Sequence, residues 1–429
     1  MVTGLGVASP LGLTVEAFWS GLVAGVSGLN RIARFDPAGF PAQIGGEVPQ
    51  YALGDFIPRA YRKNFKVMSR DIELAIIAAH GALADAGLGT RASGIATGPP
   101  PERAGSCIGA GLIDADLDEL AEAFEGARAH DRLDLACWGR TGMERLSPVW
   151  LLKYLPNMLA CHVSILHALE GPSNTITCAE ASSHLAVGEA SHVIARGDAE
   201  LMVAGGAEGR INPMGHLRQH LWRRLTTTRN DSPAEALRPF DTDADGTVNA
   251  EGGALLVLED ATSARARGAR VYAEVVGFAA TQDPSALDAP DPLGRAYEQA
   301  VRLALARAAV TPDELDLVVP HGLGLPACDR AELAGLERAL DGRLERIPVA
   351  TIKARTGTPG AGCGLDLVAT ALALHRGEIP PAPNTRRVVD GHRLDVAVHA
   401  RRAPLRTALV CAYNQAGQHA ALVFRTAGA

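Results

Sequence analysis

The sequence predicts an α/β protein whose sheets are covered by helices on both faces. Three observations carry this: strand, helix, strand signals repeat along the 429 residues, the strand segments are continuous apolar runs, and 47% of the residues are hydrophobic. Continuous apolar strands belong to sheets buried on both faces, and this chain is long enough for a large core.

The segments support this in order. "DIELAIIAAHGALADAGL", residues 71–88, spaces its apolar positions for an amphipathic helix and ends in Gly and Leu, a helix stop. "ELMVAGGAE" at 200–208 is a short apolar run closed by glycines, a buried strand. "GALLVLED" and "VYAEVVGFA" continue as strands, and "PLGRAYEQAVRLALARAAV" is a helix leading through "TPDEL" to the strand "LDLVVP". "LDLVATALALHRG" closes as a helix and "RTALVCAYN" as a strand. Residues 92–104, rich in Gly and Pro, read as a surface loop, and 226–246 as a long ordered loop near a functional face. "VTGLGVASPLG" and "VVPHGLGLPA" share a strand-then-glycine character, a hint that two halves follow one plan.

Composition removes several functions. A net charge of −7 and 4% aromatics speak against nucleic-acid binding. Seven dispersed cysteines without a CxxC pair argue against a zinc site or a disulfide framework. The N-terminus lacks a secretory pattern, and the most apolar run is broken by Lys153, Pro156, Asn157 and His162, so the expected location is the cytoplasm.

One position raises a chemical question. "GPSNTITCAEASSH" reads as a turn, a strand ending near Ala179 and a helix beginning close to Glu180. A strand-to-helix turn presents its side chain to a pocket with helix N–H groups behind it, a place suited to a thiolate or an oxyanion. Here it holds a carboxylate. Capping the helix and serving a function are both open readings for Glu180.

With "RFDPAGFPAQIGGEVP", "GPSNTI", "GDAELMVAGGAE", "LRPFDTDADGTVNAEGGALLVLED" and "VVPHGLGLPACDRAEL" in this order, the chain resembles the β-ketoacyl synthase family over essentially its whole length. The resemblance implies a thiolase-like, five-layered αβαβα fold of two duplicated halves, 1–258 and 259–429, usually dimeric. It also implies where the chemistry should lie. Glu180 falls on the nucleophilic cysteine, His321 on the first active-site histidine, Lys353 on the lysine and Thr358 on the second histidine. Gln415, in "VCAYNQAGQHAALVF", falls on the gating phenylalanine. Asp329, Glu332 and Glu251 match retained positions and are read as anchors around the active-site loops.

A scaffold kept without its nucleophile is similar to the chain-length factors of type II polyketide synthases. That implies a non-elongating subunit paired with an intact ketosynthase, shaping the acyl tunnel and product length. It would need no cofactor of its own, and the phosphopantetheine of an acyl carrier protein would be the substrate arm. The alternative is an enzyme: a malonyl-carrier-protein decarboxylase or an atypical acyltransferase using the Glu180/His321 pocket. Decarboxylation would need Glu180 protonated, because its ionised form repels malonate and enolate. Cys178, as a displaced nucleophile, lies before the turn and reads as core, and Cys363 reads as packing.

Residues 107–150 and the following "LLKYLPNM" are placed by the resemblance near the dimer interface and acyl channel, where Trp138 and Trp150 could close a tunnel or simply pack. Arg218, Arg223, Arg224 and Arg229 could form a basic patch for the acidic carrier protein, although solvated arginines give the same pattern. "DADLDELAEAFEG" reads as an exposed helix face.

Overall fold

Two mixed sheets, each faced with helices, build the computed structural model, which describes residues 1–89, 97–285 and 289–428. The first sheet runs in the order Val2–Ala8, Glu251–Glu259, Leu201–Gly209, Ala104–Ala110, Ser173–Ile176. The second runs Glu274–Gln282, Gln418–Arg425, Thr407–Tyr413, Leu317–Val319, Pro348–Val349, Asp395–Val396. Each begins with two antiparallel pairings and continues with parallel ones. The two halves thus repeat one strand plan, although "VTGLGVASPLG" and "VVPHGLGLPA" fall on non-equivalent strands, Val2–Ala8 at the edge of its sheet and Leu317–Val319 inside the other.

The helices Ser182–Ala195 and Leu365–Arg376 lie between the sheets and touch strands of both. Helix Arg70–Asp85 covers the outer face of the first sheet, and helix Arg295–Ala308 that of the second. The order is therefore α, β, α, β, α, the five-layered thiolase-like arrangement. Its buried residues fall into a central cluster that includes Leu5, Ala186, Leu256, Val368 and Leu422, and an outer cluster on either side. Close approach depends on small residues: a Cβ at Gly6 would stand 1.9 Å from the Ala78 carbonyl oxygen of the covering helix.

Two expectations change in detail. The strand expected to end near Ala179 stops at Ile176, opposite Gly109, and the chain turns through a 3-10 segment, Ala179–Ala181, before the helix starts at Ser182. Of the loop expected over 92–104, residues 92–96 lie outside the described residues, Pro101–Arg103 form a 3-10 turn and Ala104 already opens a strand. The 226–246 segment is cross-tied: Thr226 and Thr228 donate to Asp245 at 2.7 and 2.8 Å, and Asp241 accepts from the Arg386 and Arg387 amides.

One surface differs from the rest. Nine of the eighteen large hydrophobic side chains exposed among the described residues fall within residues 112–152, including Leu112, Leu135 and Leu151. In the first sheet, Ser173–Ile176 is an edge strand, hydrogen-bonded only to Ala104–Ala110 among the described strands. An open strand edge and an exposed apolar face are each a ready site for another chain.

Candidate functional site

The turn that carries Glu180 is held in an unusual backbone. Ala179 takes φ +45°, a left-handed conformation that costs a non-glycine residue. The Ser182 hydroxyl accepts from the Cys178 amide at 2.7 Å and donates to the Ala110 carbonyl at 3.3 Å. The Asn414 side-chain amide donates to the Cys178 carbonyl at 3.0 Å, so the second half of the chain braces the same turn. The Ser183 hydroxyl donates to the Ala361 carbonyl. Both hydroxyls beside the turn are therefore committed to the backbone.

Glu180 is completely buried and caps no helix. Its Oε1 accepts from Arg210 Nη1 at 2.8 Å and from Arg224 Nη1 at 2.9 Å. Arg210 Nε donates to Glu208 at 2.5 Å, and the other oxygen of Glu208 accepts from the Ala361 amide at 2.8 Å. Arg224 also donates to Gln219 at 3.1 Å. The result is a buried chain, Glu208–Arg210–Glu180–Arg224–Gln219. Burial pushes the Glu180 carboxyl up, but the Arg224 and Arg210 guanidiniums outweigh it and hold the group far below the ordinary carboxylate range. This corrects the capping reading, and it removes the protonated donor on which the decarboxylase reading depended.

His321 and Lys353 are buried close enough to influence one another's charge. Burial, then the charge of Lys353, the His184 imidazole and Arg224, keep His321 neutral. The Lys353 ammonium is paired with Asp366. Burial disfavours its charge, but Asp366 outweighs that and raises its pKa. Thr358, where a second histidine was expected, shares a 2.6 Å hydrogen bond with the Thr247 hydroxyl and packs into the core. His184, one helical turn after Glu180, is fully buried and its pKa is depressed by burial and then by Lys353.

The retained acids act on the backbone. Glu332 accepts from the amides of His321 at 2.6 Å and Gly322 at 2.9 Å, and from the Tyr297 hydroxyl at 2.6 Å. Asp329 accepts from the amides of Phe240, Leu323 and Gly324. Glu251 accepts from Arg70 and from the Val48 amide.

Cys178 is half-buried with its thiol raised by burial, and Cys363 is buried with its thiol raised further. Neither is a nucleophile activated by a base. Gln415 lies in a different space, a cavity of about 280 Å³ lined also by Arg223, Arg224, Cys328, Tyr413 and His419. The Tyr413 ring packs edge-on against His321, 4.5 Å between centroids, so this cavity abuts the histidine without including it.

The four arginines do not form one patch. Arg224 is inside the protein on Glu180, and Arg218 is bound to Asp114 at 2.7 Å, because each meets a buried or half-buried acid. Of the four, Arg223 is exposed at the cavity and Arg229 is partly exposed. Trp138 and Trp150 are half-buried in the 112–152 region, against Phe124 at 5.2 Å and Tyr154 at 5.0 Å.

Sequence reasoning missed Arg210, Glu208 and Gln219. One signal was available: Glu208 and Arg210 are two residues apart at the end of a strand, so both side chains emerge on one face. Among the described residues no cluster of His, Cys, Asp or Glu could hold a metal ion, and no helix is long and apolar enough to cross a membrane.

Comparison with known proteins follows the same lines. Residues 1–264 match the family model for the β-ketoacyl synthase N-terminal domain, and 272–386 that for the C-terminal domain. The 3-oxoacyl-[acyl-carrier-protein] synthase 2 of Vibrio cholerae is 33% identical over 99% of this chain and 98% of its own length. Among solved structures, the ishigamide ketosynthase/chain length factor matches with a TM-score of 0.83 and 30% identity over 100% of this chain and 98% of the other. A β-ketoacyl synthase from Burkholderia phymatum gives a TM-score of 0.84 and 28% identity, covering 99% of this chain and 98% of that one.

Proposed function

We propose that this chain, which belongs to the β-ketoacyl synthase family, is a non-elongating subunit that pairs with an intact ketosynthase. In that role it completes the acyl tunnel and limits product length. The observation that carries the reading is the sealing of Glu180 by Arg210 and Arg224. The residue at the nucleophile position is a carboxylate whose Oε1 is bound by two buried guanidiniums. It has no means of holding an acyl group as a stable thioester does, because the acyl carboxylate it would form is an anhydride.

The retained scaffold supports a partner role. Glu332, Asp329 and Glu251 still fix the loops around the centre, the segment at 112–152 exposes apolar side chains, and Ser173–Ile176 is an open strand edge. Such a surface suits burial against a second subunit of the same fold. The similarity to a ketosynthase/chain length factor structure points the same way, although the curated relatives are named as synthases. The carrier protein's phosphopantetheine arm would react on the partner, with Arg223 and Arg229 as the contacts left on this chain.

The test is an intact-mass measurement on malonyl-loaded acyl carrier protein, incubated with the purified chain alone and with the chain co-expressed with an intact ketosynthase. The expected result is an unchanged malonyl mass with the chain alone and elongation only with the pair. Acetyl carrier protein formed by the chain alone would overturn the reading in favour of a decarboxylase.

A further inference from the structure

The surface left open for a partner has a charge as well as a polarity. Residues 112–153 hold nine acidic and five basic side chains, a net of −4 in a chain whose total is −7. A tenth of the sequence thus carries more than half of the net charge. Helix Leu117–Gly126 and its cap supply Asp116, Asp118, Glu119, Glu122 and Glu125, with no basic residue among them. Glu119 is tied to Lys153 and to the Tyr154 hydroxyl. Among the described residues no cation lies within salt-bridge distance of Asp118, Glu122 or Glu125.

The same segment exposes Leu117, Phe124, Leu133, Leu135, Leu151 and Leu152, so apolar area and unpaired acids share one surface. Apolar area favours docking by any matching chain, whereas charge decides which one. In a two-fold homodimer a patch meets its own copy, and a net −4 surface would then face another. A subunit of the same fold with a basic facing surface removes that conflict and gains attraction.

We propose that this face is docked by a second ketosynthase-fold subunit whose facing surface is basic, and that the acidic helix Leu117–Gly126 opposes pairing of the chain with itself. The inference rests on the partner-subunit reading above and adds the chemistry that selects the partner.

Sedimentation of the purified chain at about 50 and about 500 mM sodium chloride reads the self-repulsion directly, because salt screens charges separated by more than about 10 Å at 0.1 M. Self-association is expected to tighten at least tenfold between the two salts. The triple variant Asp118→Lys/Glu122→Lys/Glu125→Lys, all at non-buried positions, is expected to self-associate at the lower salt. It should also bind a co-expressed intact ketosynthase at least tenfold more weakly than the native chain does. A native chain that dimerises equally tightly at both salts, or a triple variant that keeps full affinity for the ketosynthase, would overturn the proposal.

The apolar variant Leu135→Ser/Leu151→Ser separates the two levels. If it loses the ketosynthase while the triple variant keeps it, pairing stands and the charge rule falls. If both variants pair as the native chain does, the partner-subunit reading falls with the charge rule.

Discussion

Arg224 Nη1 lies 2.9 Å from Glu180 Oε1, and both side chains are buried. A charge in that position is tolerable only because the opposite charge is there, since removing one partner leaves the other uncompensated in a low-dielectric interior. Arg210, at 2.8 Å from the same oxygen, makes the carboxylate responsible for two guanidiniums.

Glu180→Ala is therefore expected to destabilise the fold by about 3–5 kcal/mol, the usual cost of breaking a buried pair. Urea unfolding followed by circular dichroism measures it. Adding Arg224→Met to the alanine variant should recover much of the loss, because Arg224 has no other carboxylate partner whereas Arg210 keeps Glu208. A stable Glu180→Ala single variant would contradict the buried-cluster assignment.

Two carboxyls should give opposite pH signatures. Glu180 has a depressed folded pKa, so its stabilisation is present above the unfolded value of 4.5 and is lost as pH falls from there through the folded value. Asp71 behaves inversely. Burial pushes it up to about 7, against the hydrogen bond it accepts from the Gly209 amide, so its contribution is full below 3.8 and is lost as pH rises through about 7. Between pH 4 and 8, Asp71→Asn should gain on the native chain in denaturant midpoint, by up to about 4 kcal/mol. A difference that stays constant with pH would refute the raised Asp71.

Glu332 holds two backbone amides and a tyrosine hydroxyl. Glu332→Ala leaves those donors without their acceptor, at about 1–3 kcal/mol each. Hydrogen exchange should show the amides of His321 and Gly322 losing protection first, before the helix Pro326–Ala339 does.

The thiols should be slow. Cys178 is half-buried and raised by burial, and Cys363 is fully buried. Peptide mass mapping after iodoacetamide at pH 7.5 is expected to find both labelled well behind a small free thiol, since only the thiolate reacts. Rapid selective labelling of Cys178 would reopen a catalytic role for it.

Much of the architecture was legible because it follows local periodicity. The helix read over 71–88 is found at Arg70–Asp85, and the strand read at 406–414 is found at Thr407–Tyr413. The strand before Glu180 ends earlier than the sequence suggests because the β-compatible Thr177 and Cys178 continue past the last paired residue, Ile176, and the left-handed Ala179 leaves no mark in composition. Arg224 was read as a surface charge because it sits in "RRLTTTR", a stretch that resembles a solvated loop. Its burial is set by Glu180, forty-four positions earlier, a relation that only the folded chain reveals.

The Glu208–Arg210–Glu180–Arg224 chain also bears on reversibility. A cysteine at 180 would not by itself make a reaction centre, because it would leave the Arg224 guanidinium buried without its carboxylate while Arg210 kept only Glu208. Removing both arginines first would strand Glu180 and Glu208 instead. Each single step leads downhill in stability, so the cluster works as a ratchet: it has become a structural commitment that selection on folding alone will keep.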